Sequence, residues 1–280
     1  MSEILANYAE GLGKHEGRGL SLHVAETVRI DLHCHSSASD GDHSPANVAR
    51  RLADIGVAWA SLTDHNTVAG QDEFRTALER YGIGYIPGVE IDARSTFGPL
   101  HVLAYQIDLH DTHLLAILHN VRRPWRSSMR RLLSRVRPVQ EPAPLTPTPC
   151  VVGGDASSLK APLSTADAIC LIHQAGGLAF LAHPLESLRS FKRIEETLDR
   201  LQPEGLDGIE VFHRSYPEGV QYALLALAVR RGLVPTGGSD FHGLHHSDGA
   251  SLGVDIPRGE WNKMLKHIGV TPRSLPSAAS

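Results

Sequence analysis

The chain predicts an α/β fold in which seven strand–helix units build a parallel sheet, closed or nearly closed into a barrel. Three features carry that prediction: apolar runs alternate with amphipathic segments, metal-binding residue types sit at the ends of the runs, and one proline-rich stretch breaks the rhythm. The runs are VRIDLH (28–33), AWASLT (58–63), GYIPGVEI (84–91), LHVLAYQI (100–107), GLAFLA (177–182), LDGIEVF (206–212) and GLVPTGG (232–238). Helical periodicity falls at Pro45–Ile55, Gly70–Tyr81, Ser164–Ala175, Leu188–Leu201 and Pro217–Arg231. Ser44 before Pro45 marks a helix start, because the hydroxyl can cap the first turn and proline needs no N–H there.

Residues 108–163 depart from this pattern. They hold a helix, an arginine-rich stretch and a Pro/Gly/Ser-rich half, and are expected to form an insertion after the fourth strand, over the mouth of the barrel. Arg122–Arg137 carries seven arginines and no acid, with Trp125, Met129, Leu132, Leu133 and Val136 at helical spacing, so an amphipathic helix with a basic back is expected. Residues 1–27 are assigned to an N-terminal extension with one strand near 20–25. The main domain takes 28–257, and 258–280 form a short helix and a polar tail.

At 280 residues the chain suits one large domain with a full core. A formal net charge of −4 argues against a surface built mainly for nucleic acid or acidic membrane. Three cysteines at irregular spacing, Cys34, Cys150 and Cys170, suggest neither a disulfide framework nor a thiolate metal knuckle. With no membrane-length apolar stretch, a soluble cytoplasmic protein is expected, without an obligate protein partner.

Barrels and doubly wound sheets deliver the carboxyl ends of their strands to one rim, and nine candidate ligands lie where such a rim would collect them. They are His33, His35, Asp40, His65, Glu90, His101, His183, Asp240 and His242. Strand side chains alternate, so His33 and His35 share a face as a two-pronged clamp, while Cys34 points to the helical layer as a small hydrophobe. Asp40 precedes a turn at Gly41 that would swing it back toward the histidines, with Asp42 and His43 as alternatives. His65 closes the second strand; Asp64 beside it either orients a ligand or caps the next helix. Glu90 ends the third strand, where two oxygens suit it to bridge cations. His101 begins the fourth strand and His183 ends the fifth. Asp240 and His242 share a face after Gly237 and Gly238, and a fold alone gains nothing from displaying that pair.

The series DLHCHSSASDG, SLTDHNTVAG, GVEI, HVLAY, LAHP, GIEVFH and GGSDFHG resembles, in order, the motifs of the PHP (polymerase and histidinol phosphatase) family of metal-dependent phosphoesterases. The resemblance covers roughly 28–107 and 164–256 and looks closest to the stand-alone nucleotide phosphoesterases. It implies a distorted, TIM-like seven-stranded β/α barrel with a trinuclear site at the C-terminal rim. One cation would be held by His33, His35, Glu90 and Asp240, a second by Glu90, His101 and His183, and a third by Asp40, His65 and His242. Imidazole and carboxylate without thiolate suit Mn²⁺, Fe²⁺ or Zn²⁺ in two or three positions. The loop His213-Arg214-Ser215-Tyr216 lacks the proline that the family places next to its histidine, and the insertion is short and proline-rich.

The expected chemistry is hydrolysis of a phosphomonoester of a nucleotide or related small metabolite. A metal-bound hydroxide held by Glu90, His33, His35, His101, His183 and Asp240 would be the nucleophile. Arg94, His213 and Arg214 are candidate substrate contacts, and His213 or metal-bound water the leaving-group acid. The alternatives are a phosphodiesterase or 5'-3' exonuclease on short oligonucleotides, a non-catalytic nucleic-acid-binding protein, and an amidohydrolase, whose pattern fits Asp40, Glu90 and Asp240/His242 less well.

Overall fold

The computed structural model describes residues 26–128, 163–243 and 251–270. The strand expected near 20–25, the arginine-rich stretch beyond 128 and the polar tail fall outside them. In chain order the elements are β1 (Thr27–Cys34), α1 (Pro45–Asp54), β2 (Trp59–Leu62), α2 (Gln71–Tyr81), β3 (Gly84–Tyr85), β4 (Gly88–Ser95), β5 (Gly98–Tyr105), α3 (Thr112–Ser128) and β6 (Leu163–Ser164). There follow α4 (Thr165–Gln174), β7 (Leu178–Leu181), α5 (Pro184–Leu188), α6 (Phe191–Leu201), β8 (Gly208–His213), α7 (Glu218–Arg231), β9 (Val234–Gly238), β10 (Val254–Pro257) and α8 (Arg258–His267).

The fold is α/β, but not one parallel seven-stranded sheet. The strands form a four-stranded sheet, β10-β1-β2-β3, and a six-stranded sheet, β6-β4-β5-β7-β8-β9. Both are mixed: β10 runs antiparallel to β1, and β5 runs antiparallel to β4 and β7. The reason for the β4–β5 reversal is local. Only Thr96 and Phe97 separate these strands, a connection long enough for a hairpin and far too short for a parallel crossover. The run 84–91 is likewise two strands, interrupted before Gly88, and the second continues through Asp92 and Arg94 to Ser95. Glu90 is therefore near the start of β4 and not at a strand end.

The two sheets touch at the ends that carry the candidate ligands. On one side Asp240 N donates to His33 O at 2.7 Å and His35 N to Phe241 O at 2.9 Å. On the other, Glu90 N donates to Thr63 O at 3.1 Å and Asn66 N to Glu90 O at 2.8 Å. The first seam requires Gly238, because a Cβ there would stand 2.4 Å from His33 Cβ.

Helix boundaries follow their caps. Ser44 Oγ accepts from Asn47 N at the start of α1, with Pro45 in the first turn. Ser164 and Asp167 form a reciprocal capping box at α4. The helix expected over 188–201 is broken: Arg189 takes a left-handed φ of 60°, ending α5, and Ser190 caps α6 anew.

The larger core cluster lines the six-stranded sheet and β1, with Leu103, Tyr105, Phe180 and Ile209 fully buried. A smaller one packs Cys34, Leu62 and Val48 against Phe74 and Leu78 of α2, so Cys34 is a buried free thiol on the face opposite the histidines. Cys170, by contrast, is disulfide-bonded. This corrects the expectation of no disulfide; proximity of two cysteines is a tertiary property that spacing does not encode. No helix among the described residues is long and apolar enough to cross a membrane.

Candidate metal centre

All nine candidate ligands converge. The clamp predicted for β1 places the fully buried His33 and His35 side by side, ring centroids 5.3 Å apart. His33 Nε2 lies 3.3 Å from Glu90 Oε2 and 3.2 Å from Asp240 Oδ1; His35 Nε2 lies 3.1 Å from each of the same two oxygens. The other Glu90 oxygen, Oε1, is 2.9 Å from His101 Nδ1 and 3.2 Å from His183 Nε2, which are 3.2 Å from one another. Asp40 faces His35, His65 and His242 at 3.8, 3.8 and 3.5 Å. His35 thus stands between two groups, and His65 Nδ1 also approaches Glu90 Oε2 at 3.4 Å.

Three residues at these junctions adopt left-handed backbone: Asn66 (φ 51°), His183 (φ 21°) and Asp240 (φ 54°). Such conformations cost about 1–3 kcal/mol each for non-glycine residues, and persist only where surrounding structure imposes them. Here they turn a ligand or its neighbour inward at the end of a strand.

The hydrogen bonds around the rings orient them. Glu210 accepts from His33 Nδ1 at 3.1 Å, Asp92 from His65 Nδ1 at 2.9 Å, and the Asp240 carbonyl from His242 Nδ1 at 2.8 Å. An ionised carboxylate or carbonyl only accepts, so in each ring Nδ1 carries the proton and Nε2 presents a lone pair to the cluster. His33 Nε2, His35 Nε2 and Glu90 Oε2 are buried and make no hydrogen bond, although they lie within 3.3 Å of partners. Ring nitrogens and carboxylate oxygens aimed at a common space suit a divalent cation, which would take the place of protons there, and the donor set fits one.

Electrostatics agree with that geometry. Burial opposes the Glu90 charge, yet the rings of His65, His33 and His101 hold its carboxyl well below the usual range. Burial likewise opposes charge on His35, but the adjacent Asp240 and Glu90 carboxylates push it up to about 10. His183 is similarly pushed up to about 9, against burial, by Glu90. His242 moves the other way, down to about 4, through burial and the neighbouring His35. In the metal-free protein, protons occupy positions where cations would sit.

Four acids given no firm role by sequence reasoning organise this centre. Glu210 bonds His33 and also accepts from His183 N at 2.7 Å, so one buried carboxylate sets two ligands. Asp92 accepts from His65 and from Asn66 Nδ2 at 2.7 Å. Asp31 takes Ser239 Oγ at 2.7 Å and Gly253 N at 2.8 Å, tying β1 to the segment carrying Asp240; burial raises its pKa despite these bonds. Asp64 caps no helix; it accepts from Ser36 N, Ser36 Oγ and Ser39 Oγ, and so shapes the loop that presents Asp40. The available signal was an acid inside an otherwise apolar strand, as in IDL and IEVF. Glu210→Gln is expected to weaken cation binding about 10–100-fold, because an amide can donate and so permits the wrong His33 tautomer. Calorimetric titration with Mn²⁺ measures this, and unchanged affinity would remove Glu210 from the role.

The candidate substrate contacts separate. His213 is buried and forms a further group with Glu186 and Asp240, ligand atoms within 4.8 Å of one another. Arg94 is exposed on β4, four residues beyond Glu90 on the same strand face. Arg214 is exposed and donates from Nη1 to the Gly253 carbonyl at 3.1 Å.

Residues 31–142 match the PHP domain as a sequence family. The chain resembles the PHP family over that span. Its β1 clamp, Asp40 loop, His65, Glu90 and His101 all lie inside the matched span, while His183, Asp240 and His242 are added by later strands. A 5'-3' exoribonuclease of Haemophilus influenzae is 27% identical over 248 residues, covering 77% of this chain and 90% of the relative. A 3',5'-nucleoside bisphosphate phosphatase of Chromobacterium violaceum is 28% identical over 249 residues, covering 77% and 87%. A solved structure from Bifidobacterium adolescentis, described as a candidate metal-dependent phosphoesterase, matches with a TM-score of 0.63 at 27% identity, over 85% of this chain and 95% of that one. The family match and these relatives together support a phosphoric-ester hydrolase.

Proposed function

We propose that this PHP-like chain hydrolyses a phosphomonoester of a nucleotide or a related small metabolite, using two or three divalent cations. His33, His35, Glu90 and Asp240 would hold the first, Glu90, His101 and His183 the second, and Asp40, His65 and His242 the third. The observation that carries this reading is Glu90, one fully buried carboxylate whose two oxygens lie within 3.4 Å of five imidazoles. Bound there, such cations supply Lewis-acid polarisation of a phosphoryl group and lower the pKa of bound water. The ligand set favours Mn²⁺, Fe²⁺ or Zn²⁺.

The chain's own groups account for the rest. Glu210 and Asp92 hold the ring protons on the outer nitrogens, so the inner ones stay available. The centre is rich in carboxylates and would repel an anionic substrate; bound cations reverse that sign. No basic side chain among the described residues replaces them within the cluster. In this reading His213 and, more remotely, Arg94 would meet the substrate, while Arg214 is partly committed to Gly253.

A second reading has specific support, since the exoribonuclease relative matches with the same coverage of this chain as the phosphatase. Purified, cation-loaded protein should release inorganic phosphate from nucleoside bisphosphates or mononucleotides and stop when a chelator is added. Stepwise shortening of a 5'-labelled oligoribonucleotide, with no phosphate released from mononucleotides, would overturn the monoesterase reading in favour of the exonuclease.

A further inference from the structure

The loop after β8 is tied to the loop after β7 by an arrangement the centre itself does not require. Glu186 Oε1 lies 2.6 Å from Ser215 Oγ, and Ser215 Oγ lies 2.8 Å from His213 Nδ1. Tyr216 OH accepts from Leu185 N at 2.9 Å and Glu186 N at 3.4 Å, so the two loops are joined at the backbone as well. We infer that Ser215 and Glu186 are positioning residues: they fix the His213 ring so that its Nε2 accepts a hydrogen bond from a substrate hydroxyl neighbouring the scissile ester.

The direction of each bond follows from proton counting. The Glu186 carboxylate only accepts, and serine has a single hydroxyl proton, so Ser215 donates to Glu186. The Ser215 oxygen is then the acceptor for His213 Nδ1–H. A competing bond, Ser215 N to Nδ1, is longer at 3.3 Å. This is no nucleophile triad, because the serine proton goes to the acid and the ring faces Ser215 through Nδ1.

With Nδ1 as the donor to Ser215, Nε2 is the ring atom left to accept. That atom is buried and makes no hydrogen bond, in a residue only 3% exposed. The ring stands 6.1 Å from the His183 ring and joins Asp240 in one group of ligand atoms, so it borders the proposed reaction centre. A fixed acceptor there is matched by an O–H donor. Phosphate oxygens have no proton to give; the alcohol portion of a ribose ester does. A site built to bond a substrate hydroxyl discriminates strongly against the analogue without it.

The inference rests on the phosphoesterase reading, and its test separates the two. Zn²⁺-loaded protein labelled with ¹⁵N-histidine is titrated with adenosine 3',5'-bisphosphate and with its 2'-deoxy counterpart, His213 being assigned by comparison with His213→Asn. The ring is expected as the Nδ1–H tautomer, with Nε2 shifted by the ribonucleotide and not by the deoxynucleotide. Ser215→Ala should lower the ribo-over-deoxy preference in KM about tenfold and mix the tautomers, and Ser215→Thr should restore both. An Nε2–H tautomer in the wild type, equal or absent shifts with the two nucleotides, or an unchanged preference in Ser215→Ala would overturn it. If the resonances behave as expected while neither nucleotide is hydrolysed, the phosphoesterase reading alone fails.

Discussion

Glu90→Gln is expected to lower kcat/KM for phosphate esters by at least about a thousandfold, equivalent to about 4 kcal/mol of lost transition-state stabilisation. The substitution keeps size and one carbonyl oxygen but removes the charge. Oε2 faces His33, His35 and His65, and Oε1 faces His101 and His183, so one change reaches two proposed cation positions at once. An amide is a poor bridging ligand, and its NH₂ would meet imidazole nitrogens or a cation. Elemental analysis of the purified variant should show the loss of bound cation together with activity. Full cation content with activity within about tenfold of wild type would remove Glu90 from the bridging role.

The second large effect concerns protons. His35 and His183 are pushed up to about 10 and about 9, and His33 is also raised well above its ordinary value. Groups whose folded value is raised stabilise the metal-free fold at low pH, fully below about 6.5, and lose that contribution as pH rises through the folded values. At neutral pH these rings therefore carry protons that an entering cation must displace. Loading is expected to release about two to three protons, and apparent affinity should climb about a hundredfold or more per pH unit below pH 8. His242, held down to about 4, contributes no proton to release. Calorimetry in buffers of differing ionisation enthalpy counts the protons. A count near zero would mean that the imidazoles are not the ligands.

Much of the chemistry was legible because it depends on residue type and local spacing. Alternation along β1 places His33 and His35 on one face whatever surrounds them, and Cys34 on the other. The start of α1 at Ser44-Pro45 is likewise a short-range matter of caps. Legibility failed where polar residues line a half-buried strand. Asp92, Arg94 and Ser95 end the apolar run, so the pattern implies a shorter β4 in a parallel sheet and carries no signal of its hairpin with β5. It failed again at Asp31 and Glu210, which stood in plain view within apolar strands; their partners, Ser239 and His33, are 208 and 177 residues away.

By itself the sequence determined the inventory of imidazoles and acids, their alternation on strands, and the capped helices between them. These are set within a few residues by backbone sterics and hydrogen bonding. Only the tertiary structure decided that the ten described strands split into two mixed sheets, that Glu90 stands between five rings, and that Glu210 and Asp92 bond the outer ring nitrogens. Those outcomes depend on which distant segments pack together, and packing energy summed over the whole core selects them, not the local preferences of any one segment.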